Sequence, residues 1–195
     1  IIQNKNPEEM RDSSATAVAN STDQETTLVA ILSAYRRHSS VNSILMFLNQ
    51  LEKTSPGLHL AHALKAETLS EKLGRHHEAT RAYTNAITLE PRRGEYYNGR
   101  GLAWMGIGKL ELALEDFENA SDVNPDDASA RYNIACAQAR LGMSEESLTS
   151  LAKAFSLDER LVTTAKSDHD LKSLRDDSRF QGLVTGDSKE FTVAH

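Results

Sequence analysis

One cysteine, four prolines, ten glycines and 6% aromatic residues are what this 195-residue chain has little of, and each shortage excludes something. Cys136 alone rules out an internal disulfide framework, which suits a reducing compartment. Few Pro and Gly leave long segments uninterrupted for helix. The alternation of β-branched and aromatic residues that strands need is nearly absent. There is no excess of positive charge either: 22 Lys and Arg face 28 Asp and Glu, a net charge of −6, which leaves no electrostatic footprint for nucleic acid or an anionic membrane. No apolar run approaches the roughly 18 residues that span a bilayer. The longest, Ile44-Leu45-Met46-Phe47-Leu48, is far too short. The chain begins at Ile1 rather than Met, as a fragment or processed form would, so a missing targeting segment says nothing about compartment.

What is there is helical. Ala, Leu and Glu dominate the middle, and size and composition fit one all-α domain. Residues 1–24, rich in Asn, Ser, Thr, Asp and Gln, read as a disordered tail. Its sequon at Asn20, like the one at Asn119, reads as a chance match. From Glu25, Leu28, Ile31, Leu32 and Tyr35 share one helical face. After the polar break at His38-Ser39-Ser40, Ile44, Leu45, Leu48 and Leu51 share another, ended by Ser55-Pro56-Gly57. Helices are predicted over 60–73 and 75–89, through 94–127 in two pieces, and over 128–141 and 144–157, with glycines between the members of each pair.

The pairs repeat. Gly108, Ala113, Phe117, Ala120 and Pro125 lie 34 residues beyond Gly74, Ala79, Tyr83, Ala86 and Pro91. A further step of 34 gives Gly142, Ser147, Leu151, Ala154 and Glu159, a weaker copy. A helix–turn–helix of fixed length with small residues at fixed places is a stacking unit: one hairpin cannot bury its apolar stripe alone. Small Gly101 and Ala120 mark close backbone approach, and Trp104 and Phe117 should fill the space beside them and be buried.

These residues resemble the tetratricopeptide repeat family. The unit from Gly94 carries its pattern best, with Tyr97, Gly101, Trp104, Ala113, Phe117, Ala120 and Pro125. The unit from Leu60 departs in its first helix, where Ala63, Glu67 and Ser70 stand. The unit from Ala128 carries Leu151 and Glu159 where the pattern has an aromatic and a proline. The resemblance implies a right-handed α-solenoid of antiparallel hairpins. Its parts are a degenerate hairpin over 25–59, units over 60–93, 94–127 and 128–161, a capping segment over 162–185 and a frayed tail over 186–195. In the capping segment Leu171, Leu174, Phe180 and Leu183 should cover the last hairpin, with Asp168 or Asp170 capping a first turn.

Catalytic motifs fare poorly. His76-His77-Glu78 begins like a zinc-protease helix, but Arg81 stands where the second His is needed. Gly99, Gly101, Gly106 and Gly108-Lys109 suggest a phosphate loop, yet no strand pattern precedes them and Leu110 follows the lysine. Cys136 between two alanines reads as a small helical residue, and Asp168-His169-Asp170 as a helix start rather than an acid–base pair. No cofactor and no metal site is expected, and the chain reads as a non-enzyme; a site at His76/His77 or Cys136 is the outlying alternative.

The resemblance places function on the first helix of each unit, which lines a concave groove. Transferred residue by residue, the groove would hold Lys65, Thr68, Glu71 and Lys72, then Asn98, Leu102 and Met105, then Tyr132, Asn133, Cys136 and Arg140. The carboxylate clamp of the family's chaperone-binding members is missing: Leu64, Thr68, Gly99, Ser129 and Asn133 occupy its places. The expected role is an interaction scaffold or adaptor for a peptide or helix of a partner protein, with no nucleic acid and no membrane span. Self-association as a structural subunit is the alternative.

Overall fold

The computed structural model describes residues 14–18, 24, 26–31 and 40–186, and among them all regular structure is helical. The chain divides into two compact units, Ile1–Arg92 and Arg93–His195, rather than the single domain its length suggests.

In the first unit, α1 (Val41–Thr54) is followed by α2 (His59–Glu67) and α3 (His76–Leu89). Ser40 starts α1 by accepting the Ser43 N–H through its hydroxyl at 3.3 Å. The core gathers Phe47, Leu48 and Leu51 of α1 with Leu58, Ala61 and Leu28. Ala15 and Val18 belong to it as well. The expectation of a disordered tail over 1–24 therefore needs correction at residues 14–18, which are helical with two buried apolar side chains. A spacing of three residues inside a polar stretch is enough to make a short apolar stripe. Residues 1–13 and 19–23 of that tail, and Leu32, Tyr35 and the break at His38-Ser39, lie outside the described residues. Across α1 and α2, Glu52 accepts from Lys65 Nζ at 2.5 Å and stands 3.0 Å from His62 Nδ1.

The helix expected to run to Leu73 instead widens into a π-helical turn over Thr68–Lys72. The Thr68 hydroxyl donates to the Leu64 carbonyl at 2.7 Å, and the Arg75 N–H reaches back six residues to Leu69 O at 2.8 Å. The turn follows Glu67, whose side chain occupies the register position that Gly101 fills with none.

The second unit holds α4 (Gly94–Ile107), α5 (Leu110–Val123), α6 (Ala128–Arg140) and α7 (Ser144–Leu157) as two consecutive antiparallel hairpins, with α5 packed on α6. The 34-residue glycines have one conformational cause. Gly74, Gly108 and Gly142 have φ of 63°, 80° and 81°, the left-handed region that closes a helix at little cost only without a Cβ. At Gly108 the bonds are the paired C-terminal kind: its N–H donates to Met105 O and that of Lys109 to Trp104 O, both at 3.0 Å. α6 is begun by Asp127, whose carboxylate accepts the N–H groups of Ser129 and Ala130.

Close packing explains the small residues. A Cβ on Gly101 would stand 2.5 Å from the Phe117 ring, itself fully buried, so a bare backbone is required there. Trp104, expected to be buried, is half-buried with one side against the core, while its neighbours Ala103 and Met105 are buried. Ser147 stands where the other units carry Ala79 and Ala113, and its buried hydroxyl is satisfied by donating to Ala135 O at 2.7 Å. Arg100 of α4 and Asp116 of α5 form a two-bond ion pair at 2.7 and 2.8 Å, with side chains 20% and 4% exposed.

After α7 come α8 (Leu161–Ala165), a 3-10 turn over His169–Leu174 and α9 (Ser178–Thr185). Leu171, Leu174 and Phe180 are buried in the core of this unit and Leu183 packs partly against it. The 169–174 turn lies along α6. It stands where the first helix of a further hairpin would pack, at the same step of about 34 residues: Ser173 Oγ donates to Ala139 O at 3.2 Å. The tail after Gly186 lies outside the described residues.

Candidate interaction surface

The surface is set by which first-helix side chains remain reachable once the hairpins have stacked. In the second unit, Asn98 of α4 and Asn133 of α6 meet: Asn133 Nδ2 donates to Asn98 Oδ1 at 2.8 Å, both side chains half-buried. One turn from Asn98, Leu102 is 46% exposed. Arg140, two turns along α6 from Asn133, is paired with Asp170 of the turn at 3.4 Å.

Two of the expected groove residues are corrected. Met105 is only 7% exposed and belongs to the core, because it sits on the α4 face turned toward the next hairpin. Tyr132 is buried by the turn that follows α7, and its hydroxyl donates to Asp168 Oδ2 at 2.8 Å. Cys136 is covered in the same way, with its thiol 3.8 Å from that carboxylate oxygen. In the first unit Lys65 is held by Glu52, and the Thr68 hydroxyl is spent on the Leu64 carbonyl. Lys72 is exposed, with Glu71 at 3.8 Å, as is Glu71 itself. The eleven residues thus fall into two sets, four in the first unit and seven in the second.

Sequence reasoning missed the centre of the covered patch. Asp168 caps the turn by accepting the Asp170 N–H at 3.0 Å through one oxygen, as its position suggested. Its other oxygen accepts Tyr132 and Cys136. Continuing the repeat register past residue 161 would have pointed there: the Tyr132–Asp168 contact spans 36 residues, close to the 35 that separate Asn98 and Asn133. Cys136 Sγ and carboxylate oxygens of Asp168 and Asp170 lie within 4.8 Å of one another, a set that could meet a metal ion. The same atoms are already engaged with Tyr132, with the turn backbone and with Arg140. Burial pushes the Cys136 thiol and the Tyr132 hydroxyl far above their ordinary values, and the Asp168 carboxylate adds to both. A nucleophilic thiolate is the opposite of what this setting favours. At mildly alkaline pH an alkylating reagent should therefore modify Cys136 at least about tenfold more slowly in the folded chain than in urea; equal rates would show the thiol unshielded.

The other candidate chemistry is local. His76 Nδ1 lies 3.0 Å from the Ser70 hydroxyl and His77 is exposed.

A family profile for the tetratricopeptide repeat matches residues 128–160. A TPR repeat-containing protein of Methanocaldococcus jannaschii is 30% identical over 51% of this chain, a stretch that spans 18% of that protein's own length. Among solved structures, MamA of Desulfovibrio magneticus RS-1 has a TM-score of 0.70 at 18% identity, over 90% of this chain and 92% of that one. YrrB, a TPR protein with an unusual peptide-binding site, has a TM-score of 0.68 at 13% identity, over 93% and 95%. The fold is that of the tetratricopeptide solenoids. Residues 128–160 match the tetratricopeptide repeat itself, and the chain as a whole shares the fold of proteins built from it.

Such repeats are in general protein-interaction modules rather than catalytic ones. Among the described residues no helix is long and apolar enough to cross a membrane.

Proposed function

We propose that this chain is a non-catalytic scaffold that holds a peptide or helix of a partner protein along the first helices of its repeats. The observation that carries the reading is the Asn98–Asn133 pair. Two amides that bond once to each other keep one N–H₂ and one carbonyl oxygen for a third party, whichever of the two donates. One free donor and one free acceptor side by side match the N–H and C=O of a single peptide unit. They read backbone rather than sequence, and leave specificity to neighbours such as Leu102 and Arg140. In the first unit Lys65, Thr68 and Lys72 form a separate candidate surface, with the Lys65 ammonium and the Thr68 hydroxyl proton already engaged inside that unit. The peptide-binding site named for the structurally similar YrrB supports the type of partner and no particular one.

Cross-linking capture of partners by the wild type and by Asn98→Ala/Asn133→Ala tests it. Losing two neutral hydrogen bonds, each worth about 0.5–1.5 kcal/mol net, should weaken the captured partner about tenfold. Undiminished capture by a variant of wild-type helicity would sink the assignment.

A further inference from the structure

Between the end of α6 and the turn that follows α7 lies a cavity of about 550 Å³, lined by Ala139, Arg140, His169, Asp170, Lys172 and Ser173. That is the size of a site that takes a side chain or a small ligand. Three of its six lining residues are basic in a chain whose net charge is −6. Its one carboxylate is answered already: Asp170 stands 3.4 Å from Arg140, and burial pushes its carboxyl above the ordinary range. Asp168, beneath, turns its oxygens to Tyr132 and to the turn backbone. The Ser173 hydroxyl proton goes to Ala139 O. What is left over is the Lys172 ammonium, with the His169 ring beside it. The side chains of Lys172 and His169 make no hydrogen bond or ion pair among the described residues, and Lys172 is exposed at the rim.

We propose that this cavity receives an acidic side chain, Asp or Glu, of the partner peptide that the Asn98–Asn133 pair holds by its backbone. The inference rests on the scaffold reading and adds a specificity to it. Geometry links the two sites. Asn133 and Arg140 are seven residues apart on α6, so they share one face and stand about 10 Å apart along the helix. An extended peptide covers that distance in about three residues. The partner is thus an acidic segment whose Asp or Glu lies about three positions from the residue gripped at the asparagines. Lys172 and Arg140 would take the carboxylate by charge-assisted bonds, and salt would weaken them.

A fluorescein-labelled peptide of alternating Glu and Ala, about ten residues long, is titrated against the full chain, beside the same peptide with Gln for Glu. The glutamate peptide should bind about tenfold more tightly than its glutamine counterpart, and added salt should erase the difference. Lys172→Glu, at an exposed position where folding is undisturbed, should lose that tenfold. Lys153→Glu, an equal change of net charge on α7, should keep it. Equal loss in both variants would reduce the effect to the general field of the protein and overturn the cavity assignment. No preference for glutamate over glutamine in the wild type would also overturn it. If Asn98→Ala/Asn133→Ala weakens either peptide while Lys172→Glu does not, the cavity reading falls and the scaffold reading stands.

Discussion

Asp116→Ala should cost the second unit about 3–5 kcal/mol, the penalty for breaking a buried ion pair by removing its carboxylate. The Asp116 carboxylate is almost fully enclosed between α4 and α5, and it accepts both Nε and Nη2 of Arg100. That carboxylate holds the Arg100 guanidinium above its ordinary value, and the Tyr97 ring lies 5.9 Å from the same cation. Without it, the partly buried Arg100 guanidinium loses both of these charge-assisted bonds. The pair as a whole is a different matter. Arg100→Leu/Asp116→Leu removes two charges and refills the space with apolar volume, so it should recover most of the loss. The chain's one tryptophan, Trp104, sits on α4 one turn from Arg100, so its fluorescence reports on this unit during urea unfolding. A single variant as stable as the wild type would mean that the pair is solvated in solution.

Phe117→Ala should cost about 3–5 kcal/mol, a large aromatic removed from a fully buried site. Gly101→Ala strikes the same contact from the other side. The added methyl would meet the ring at 2.5–3.0 Å, so overpacking of about 1–3 kcal/mol opposes the gain of roughly 1 kcal/mol from replacing a helical glycine. The two substitutions are coupled, because Phe117→Ala opens the space that the Gly101 methyl needs. The double variant should therefore be more stable than the sum of the two losses predicts. Strict additivity in urea midpoints would show that Gly101 and Phe117 do not share one contact in solution.

The hairpins were legible because each rests on local chemistry repeated at one spacing. Gly74, Gly108 and Gly142 can close helices at positive φ where a residue with a Cβ is strained, and Gly101 and Phe117 show why one position must be bare when the other is large. Burial at the repeat edges was not legible. Met105 and Tyr132 sit at register positions that face a groove in the family's pattern, and here neighbouring elements cover them. For Tyr132 the cover is the 169–174 turn, whose irregular helices break the periodicity from which the register was read. The π-helical turn at Thr68–Lys72 escaped for a related reason: hydrophobic spacing scarcely registers one widened turn. The buried pair of residues at 14–18 lay in a stretch whose composition alone argued for disorder. The Asn98–Asn133 contact lies between these cases, since both residues were placed on the surface from the sequence, but the bond between them belongs to the packing of α4 and α6.

The turn along α6 also fixes which way this repeat array can lengthen. A stack of identical hairpins ends in a face that would accept another copy as readily as its own next unit, much as an unpaired sheet edge accepts a foreign strand. Here that terminal face is spent. Leu171, Leu174 and Phe180 fill its apolar surface, and Asp168, Asp170 and Ser173 answer its polar groups on Tyr132, Arg140 and the Ala139 carbonyl. A duplicated hairpin placed after Leu157 would have to displace all of these at once, whereas one placed between Asn124 and Asp127 would meet surfaces already shaped for a repeat. The turn along α6 acts as a stop in the grammar of the array at this one face, and a duplicated hairpin finds a shaped surface only on its N-terminal side.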